Sequence, residues 1–315
     1  MPPMARKRLL LHSIFLVLLP IFVVWFGLGL FTTIGLVALL LLWRWLAVMS
    51  GILAPEKTPD IVLESIALSH FVEKVRWCMD RLEIDYTERQ SGATLGAYFT
   101  GRSVPQLRLQ TGIAQTVIGN SPEILRFLWA RCFASHGEKA AFLEPSSERL
   151  ALEKKLDRYG RYLQVWVYYH LLHDRKLTLH AWGVANPRVP AWQRLALWAL
   201  FPVLAALVRR SFSISDQHYE KAVLSVDELL GSIDVQLADG RRSILGGDTI
   251  NYTDIAFAAL SGLWMQPGAY GGGKADSCRL SHERMPAAMR ADVERWLEDY
   301  PKATTLVTRL YAEER

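Results

Sequence analysis

Apolar and polar positions change their period several times along this chain, and each change predicts an element. From Leu9 to Trp43 there is no charged residue at all. As one helix that run would be about 52 Å long, against a bilayer core about 30 Å thick. Gly27-Leu28-Gly29 and Thr32-Thr33 lie near its middle. A turn there divides the run into two transmembrane helices of about twenty residues each, Leu9–Leu28 and Leu30–Met49; one long span is the alternative. The run is too long for a cleaved signal peptide, and no small-residue cleavage site follows its first half. Pro55-Glu56-Lys57-Thr58-Pro59 then reads as a short, stiff linker.

Ile61 to Ile66 alternates as a strand does. The pattern breaks at Ser69-His70, after which Phe71, Val72, Val75, Met79 and Leu82 recur at helical spacing. Ser69 therefore stands where a strand hands over to a helix. A hydroxyl there can cap the helix, and the free N–H groups and positive dipole end face any bound anion. Ile84 to Thr87 predicts a second strand, Ser91 to Gly101 an irregular glycine-bearing stretch, and Ser103 to Leu109 a strand containing Pro105. Thr116 to Ile118 predicts a short strand closed by Gly119-Asn120-Ser121, and a helix follows from about Pro122 to Ala130, with Ser121 as its cap. The order is β-α-β, a linker, then β-β-α, which is that of a thioredoxin-like domain.

From Ser146 onward the spacing is helical almost throughout. Leu152, Leu156, Tyr159, Leu163 and Trp166 mark one face of a long helix over 148–173. Ala191 to Val208 is strongly apolar, but Arg194 and Pro202 interrupt it and it is short for a span. A buried or interface-facing helix is expected there rather than a third membrane crossing. Further helices are expected over 215–237, 287–297 and 304–312. Asn251 followed by Asp254 has the spacing of a capping box, with Ile250 and Ile255 placed as a hydrophobic staple. The expected organisation is a membrane hairpin over 1–54, a thioredoxin-like domain over 60–133 and an all-α domain over 146–312.

Charge changes the picture in one respect only. The net charge of +5 over 315 residues is drawn largely from Arg6, Lys7, Arg8, Arg44 and Lys57, and the remainder is too nearly balanced for a nucleic-acid footprint. Basic residues before the first span and after the second, with none in the turn, put both ends on the cytoplasmic side. Arg44, between Trp43 and Trp45, reads as an interfacial anchor. Cys78, Cys132 and Cys278 form no CxxC, no metal spacing and no disulfide framework, which suits a reducing compartment. Cys78 reads as a small buried hydrophobe.

Three motifs, taken in order, carry a resemblance. They are Ser69-His70-Phe71-Val72-Glu73-Lys74-Val75-Arg76-Trp77, then Val104-Pro105, then Asn120-Ser121 at a helix start. Together with Leu245-Gly246-Gly247-Asp248 and the Asn251 cap box, the stretch from 60 to 312 resembles the glutathione S-transferase superfamily, most of all its bacterial members. The fold implied is an α+β thioredoxin-like domain followed by an all-α domain, here preceded by transmembrane helices.

The resemblance implies glutathione as co-substrate and a small hydrophobic electrophile as its partner, the chemistry of a detoxifying transferase. In that frame Ser69 donates a hydrogen bond to the glutathione sulfur, or serves only as a cap. His70, where many relatives carry proline, is either a second donor or an exposed turn residue. Glu73, Lys74 and Arg76 form a solvated or domain-interface face. Val104-Pro105 matches the family's cis-proline motif, whose backbone pairs with the tripeptide; a trans proline at a strand start is the alternative. Asn120 and Ser121 stand where the family holds the γ-glutamyl carboxylate, with Asn120 departing from the commoner acidic residue or Gln. Tyr159, Tyr162, Trp166 and Tyr169 are candidates for the electrophile pocket, or simply core. Asp254 is structural.

Two other functions stay open beside the transferase: a glutathione-dependent reductase, and a non-catalytic binding or scaffold module of the same fold. Whether the chain forms a homodimer is also open. The setting expected is a multi-pass protein of the bacterial inner membrane with its folded part in the cytoplasm.

Overall fold

The computed structural model describes residues 27, 29–50, 59–93, 95, 104–111 and 114–315. By its internal contacts the chain divides into two units, one of residues 1–60 with 109–116, the other of 61–108 with 117–315.

In the first unit the helix α1 (Leu30–Ser50) follows Gly27. It starts where the second predicted span, Leu30–Met49, starts and ends one residue beyond it. Its apolar stretch, Leu30–Leu46, is about 26 Å long at 1.5 Å per residue, short of a bilayer core. Among the described residues no single helix is long and apolar enough to cross a membrane. The expected transmembrane pair thus finds no support in the structure. The first span, residues 9–28, lies outside the described residues except for Gly27, as does the linker 55–58.

The chain continues with β1 (Asp60–Ser65), α2 (His70–Arg81), β2 (Thr87–Gln90), β3 (Gln106–Thr111), β4 (Ala114–Gly119) and α3 (Ser121–His136), all in the second unit except residues 60, 109–111 and 114–116. The sheet order is β2-β1-β3-β4. Strands β1 and β2 run parallel, with Val62 opposite Thr87 and Ser65 opposite Gln90, so α2 is the crossover that such a pair requires. Strand β2 starts at Thr87, where the sequence predicts that it ends. Residues 84–86 are irregular because Tyr86 turns back to donate its hydroxyl to Asp80 at 2.8 Å. Likewise α3 starts one residue early, so Asn120 and not Ser121 occupies the cap position.

The helical part comprises α4 (Ser147–Leu171), α5 (Arg175–Ala181), α6 (Ala191–Ala199), α7 (Phe201–Ser211), α8 (Asp216–Gln236), α9 (Tyr252–Met265), α10 (Ala287–Asp299) and α11 (Pro301–Glu313). Helix α9 is its centre: residues Tyr252 to Trp264 are all buried. The predicted capping box opens it. Asn251 caps the Thr253 N–H, while the Asp254 carboxylate accepts from the Asn251 and Ile244 N–H groups and the Ser243 hydroxyl, each at 2.8 Å. Burial nonetheless raises the Asp254 pKa. The carboxylate sits there because these three donors and the Asn251 side-chain amide, at 2.9 Å, offset most of its desolvation.

Helices α2 and α9 pack together around charges that the sequence reading placed on a solvated or domain-interface face. The structure corrects the first half of that alternative: Glu73, Lys74 and Arg76 are completely buried. Lys74 reaches Glu153 at 3.1 Å and Asp157 at 3.4 Å on α4. Arg76 bonds Glu73 at 2.8 Å and Glu88 at 2.7 Å. Arg315, at the chain end, bonds Glu73 and Asp80, both at 2.8 Å. A buried charge persists only when paired in this way, so these residues join α2 to the helical part.

Candidate functional site

The turn from β1 into α2 puts Ser69 at the cap position of α2, with φ −72° and ψ 119°. Its backbone carbonyl accepts from the Glu73 N–H at 2.9 Å, yet its side chain makes no capping hydrogen bond. Ser69 thus occupies the cap position without its side chain capping the helix. Ser69 lines a cavity of about 570 Å³, together with Leu68, His70 and Val104. Such a volume suits a small organic ligand.

His70 is buried, which corrects the alternative of an exposed turn residue. Its Nε2 lies 2.9 Å from the Gly160 carbonyl oxygen on α4, so Nε2 carries the proton in the neutral ring. Burial pulls the imidazole pKa down to about 4, against the opposing effect of that hydrogen bond. The ring is therefore neutral at physiological pH and holds two elements together.

The Val104–Pro105 peptide bond is cis, the geometry implied by the resemblance. Asn120 has φ 67° and ψ 142°. A side chain is strained in that region, and such strain concentrates at functional positions. Ser121 is buried at the first residue of α3. Of these six sequence-derived candidates, Ser69, His70 and Val104 line the one cavity.

The remaining wall is where the sequence reading missed. The predicted aromatic row faces elsewhere: Tyr159 shares a 2.9 Å hydrogen bond with Ser261 and accepts another from Trp264 at 2.9 Å. Trp166 donates to Asp292 at 2.8 Å and Tyr169 to Asp216 at 2.9 Å. The face of α4 turned to the cavity is Gln164, Val167, Tyr168 and Leu171. These positions are spaced i, i+3, i+4 and i+7, a signal the sequence carried. Ala93, Trp182, Leu204, Val208 and Phe212 add to a lining that is overwhelmingly apolar. The cavity thus pairs one hydroxyl at a helix N-terminus with an oily chamber, an arrangement that can hold an anion against an apolar reactant.

Other thiols do not compete with that site. Cys78, Cys132 and Cys278 are all free and buried. Burial pushes the Cys78 thiol up to about 12 and raises the other two as well. Among the described residues no group of His, Cys, Asp and Glu could hold a metal ion.

No family model and no curated protein matches this chain. Solved structures do. A glutathione transferase from Phanerochaete chrysosporium is 12% identical with a TM-score of 0.50, over 82% of this chain and 98% of that one. A glutathione S-transferase from Methylobacterium radiotolerans, in complex with glutathione sulfonate, is 16% identical with a TM-score of 0.48, over 81% of this chain and 91% of that one. A glutathione S-transferase from Ceriporiopsis subvermispora, in complex with glutathione, is 14% identical with a TM-score of 0.43, over 81% of this chain and 99% of that one. The first of these likenesses shows that the chain has the glutathione transferase fold.

Proposed function

We propose that this protein binds glutathione and activates its thiol for attack on a small apolar electrophile, as a glutathione S-transferase-like enzyme attached to a membrane through its N-terminal segment. The observation that supports it best is Ser69, whose side chain makes no capping hydrogen bond and which lines the cavity with Val104.

A free cysteine thiol has a pKa of about 8.5 and is mostly protonated at neutral pH. In this reading the Ser69 hydroxyl donates a hydrogen bond to the sulfur, and the N-terminus of α2 adds its partial positive charge. Both favour the thiolate, and Ser69 keeps its own proton. The Val104 backbone pairs with the tripeptide. Asn120 and Ser121 hold the γ-glutamyl carboxylate at the start of α3, where free N–H groups favour an anion. His70 takes no proton; as a neutral ring bonded to Gly160 it positions the start of α2. The apolar chamber between α4 and α7 takes the electrophile; the thiolate sulfur bonds to its electron-poor centre and either expels a leaving group as its anion or, at an activated double bond, pushes the π electron pair onto the neighbouring atom, which then takes a proton from water. A reductase working through a thiol of the protein itself is disfavoured by the buried, high-pKa cysteines.

Membrane attachment rests on the uncharged run from Leu9 to Trp43 and on the exposed Phe31, Leu39, Trp43 and Trp45 of α1. The basic residues at 6–8 and Lys57 favour a cytoplasmic placement of both ends.

The test uses the full chain in detergent, measuring retention on immobilised glutathione, thiolate absorbance of the bound tripeptide and turnover with several electrophiles. Ser69→Ala is expected to keep retention, raise the bound thiol's pKa and slow turnover about ten- to a hundred-fold, the worth of a hydrogen bond to a charged group. Ser69→Cys is expected to form mixed disulfides with glutathione. Absence of retention by the wild type overturns the reading. Retention with no turnover on any electrophile makes the protein a binding module instead.

A further inference from the structure

Helices α6 and α7 form an apolar pair bent by 81° at Leu200. From Leu195 to Val208 no residue is charged. One face does what an amphipathic helix should: Leu197, Phe201, Leu204 and Val208 are buried in the helical core beside Trp182 and Leu172. The opposite face is as apolar as the first but uncovered. Leu195 is 66% exposed, Trp198 56%, Val203 59% and Leu207 54%, and Trp192 is exposed beside them. A helix apolar all round normally has both faces buried, and a continuous apolar patch on a surface marks a docking site.

The charge around this patch identifies what covers it. No acidic residue occurs between Asp174 and Asp216, while Arg175, Lys176, Arg188, Arg194, Arg209 and Arg210 all fall in that stretch. All but Arg194 are exposed, and Arg194 is partly so. A second copy of the chain meeting this face would set six cations against six. An anionic lipid surface neutralises them and takes up the oily face between them. The exposed Trp192 and Trp198 suit the layer between headgroups and acyl chains. Neither helix crosses alone: helices of 9 and 11 residues are about 14 and 17 Å long, far short of a bilayer core.

We propose that α6 and α7 lie flat in the interfacial layer of an anionic membrane, with Leu195, Trp198, Val203 and Leu207 dipping into the acyl boundary and the flanking arginines meeting lipid phosphates. Leu207 also lines the cavity, so one wall of the chamber faces lipid. This contact does not depend on what the cavity binds.

The experiment takes the full chain reconstituted in vesicles of phosphatidylcholine with about one-third phosphatidylserine, so that any N-terminal attachment is already satisfied and the readout is local. Leu195→Cys and Val203→Cys, each labelled with an environment-sensitive fluorophore, are compared with Glu294→Cys on the exposed side of α10; the three native cysteines are buried. Expected are a blue shift and several-fold quenching by brominated lipid tails at 195 and 203, none at 294. The quenching should be weakened at least two-fold by Arg209→Glu with Arg210→Glu, or in pure phosphatidylcholine. Labels at 195 and 203 that ignore brominated lipid overturn the proposal. Shielding of those labels that varies with protein density and not with lipid assigns the face to a second copy and overturns it equally.

Discussion

The Nε2 atom of His70 lies 2.9 Å from the carbonyl oxygen of Gly160, and this single bond ties the first turn of α2 to the middle of α4. Burial of the same ring, an effect that the bond opposes, makes stability depend on pH. The folded-state pKa, about 4, lies below the unfolded value of about 6.5. The unfolded chain therefore binds the extra proton first. The contribution is complete above pH 6.5 and is lost as pH falls through 4, amounting to on the order of 3 kcal/mol. Urea midpoints measured from pH 7.5 to 4 should fall for the wild type. In His70→Gln, whose amide can still donate to Gly160, that part of the slope should vanish even if the midpoint at pH 7.5 is lower.

Arg76 is the hub of the buried charges. Burial alone would raise the Glu88 pKa, but the Arg76 guanidinium outweighs it and holds the carboxyl down at about 2. With a depressed folded pKa, Glu88 contributes stability above its unfolded value of about 4.3 and loses it as pH falls toward 2. Arg76→Met takes the guanidinium from Glu88 and Glu73, leaving Glu73 with Arg315 and Glu88 with Lys274 as remaining cations, and should cost about 3–5 kcal/mol at neutral pH. The loss should shrink when denaturation is measured near pH 4, because the two carboxylates can then take up protons. A loss that stays constant with pH would show that packing, not charge, is what the arginine supplies.

Gly262 on α9 has no room for a side chain. A Cβ there would stand 2.6 Å from the buried ring of Tyr270, whose hydroxyl donates to the Leu68 carbonyl at 3.0 Å, one residue before Ser69. Gly262→Ala should lower stability by about 1–3 kcal/mol despite alanine's better helix propensity, since overpacking outweighs it. It should also disturb ligand binding at the Ser69 turn more than Gly268→Ala, a position with open space around it. Thermal melts of both variants compare the two.

Asp254 serves α9 rather than chemistry. Asp254→Ala leaves the Ser243 hydroxyl and the Ile244 and Asn251 N–H groups without their acceptor, a cost of roughly 1–3 kcal/mol for each group stranded in the interior. A melting temperature well below that of the wild type is expected. In whatever protein remains folded, the pH profile of turnover should be unchanged; a shifted profile would give Asp254 a part in the reaction.

Local order was legible in the residues themselves. The strand-to-helix turn at Ser69, the cap box of Asn251 and Asp254, the long helix after Ser146 and the helix from Leu30 all follow from periodicity and capping chemistry, which act between residues a few positions apart. What lay beyond that reach was decided by tertiary structure. Glu73, Lys74 and Arg76 look like a solvated face because their partners, Glu153 and Arg315, arrive from distant parts of the chain. Tyr159 and Trp166 look like a pocket wall, yet Ser261 and Asp292 claim them, and the neighbouring face through Gln164 and Leu171 meets the cavity instead. The apolar run from Leu195 to Val208 gave no sign of which side would be covered. Only packing against Trp182 and Leu172 fixed the inner face and left the outer one bare, because periodicity tells one face from another only when their polarity differs.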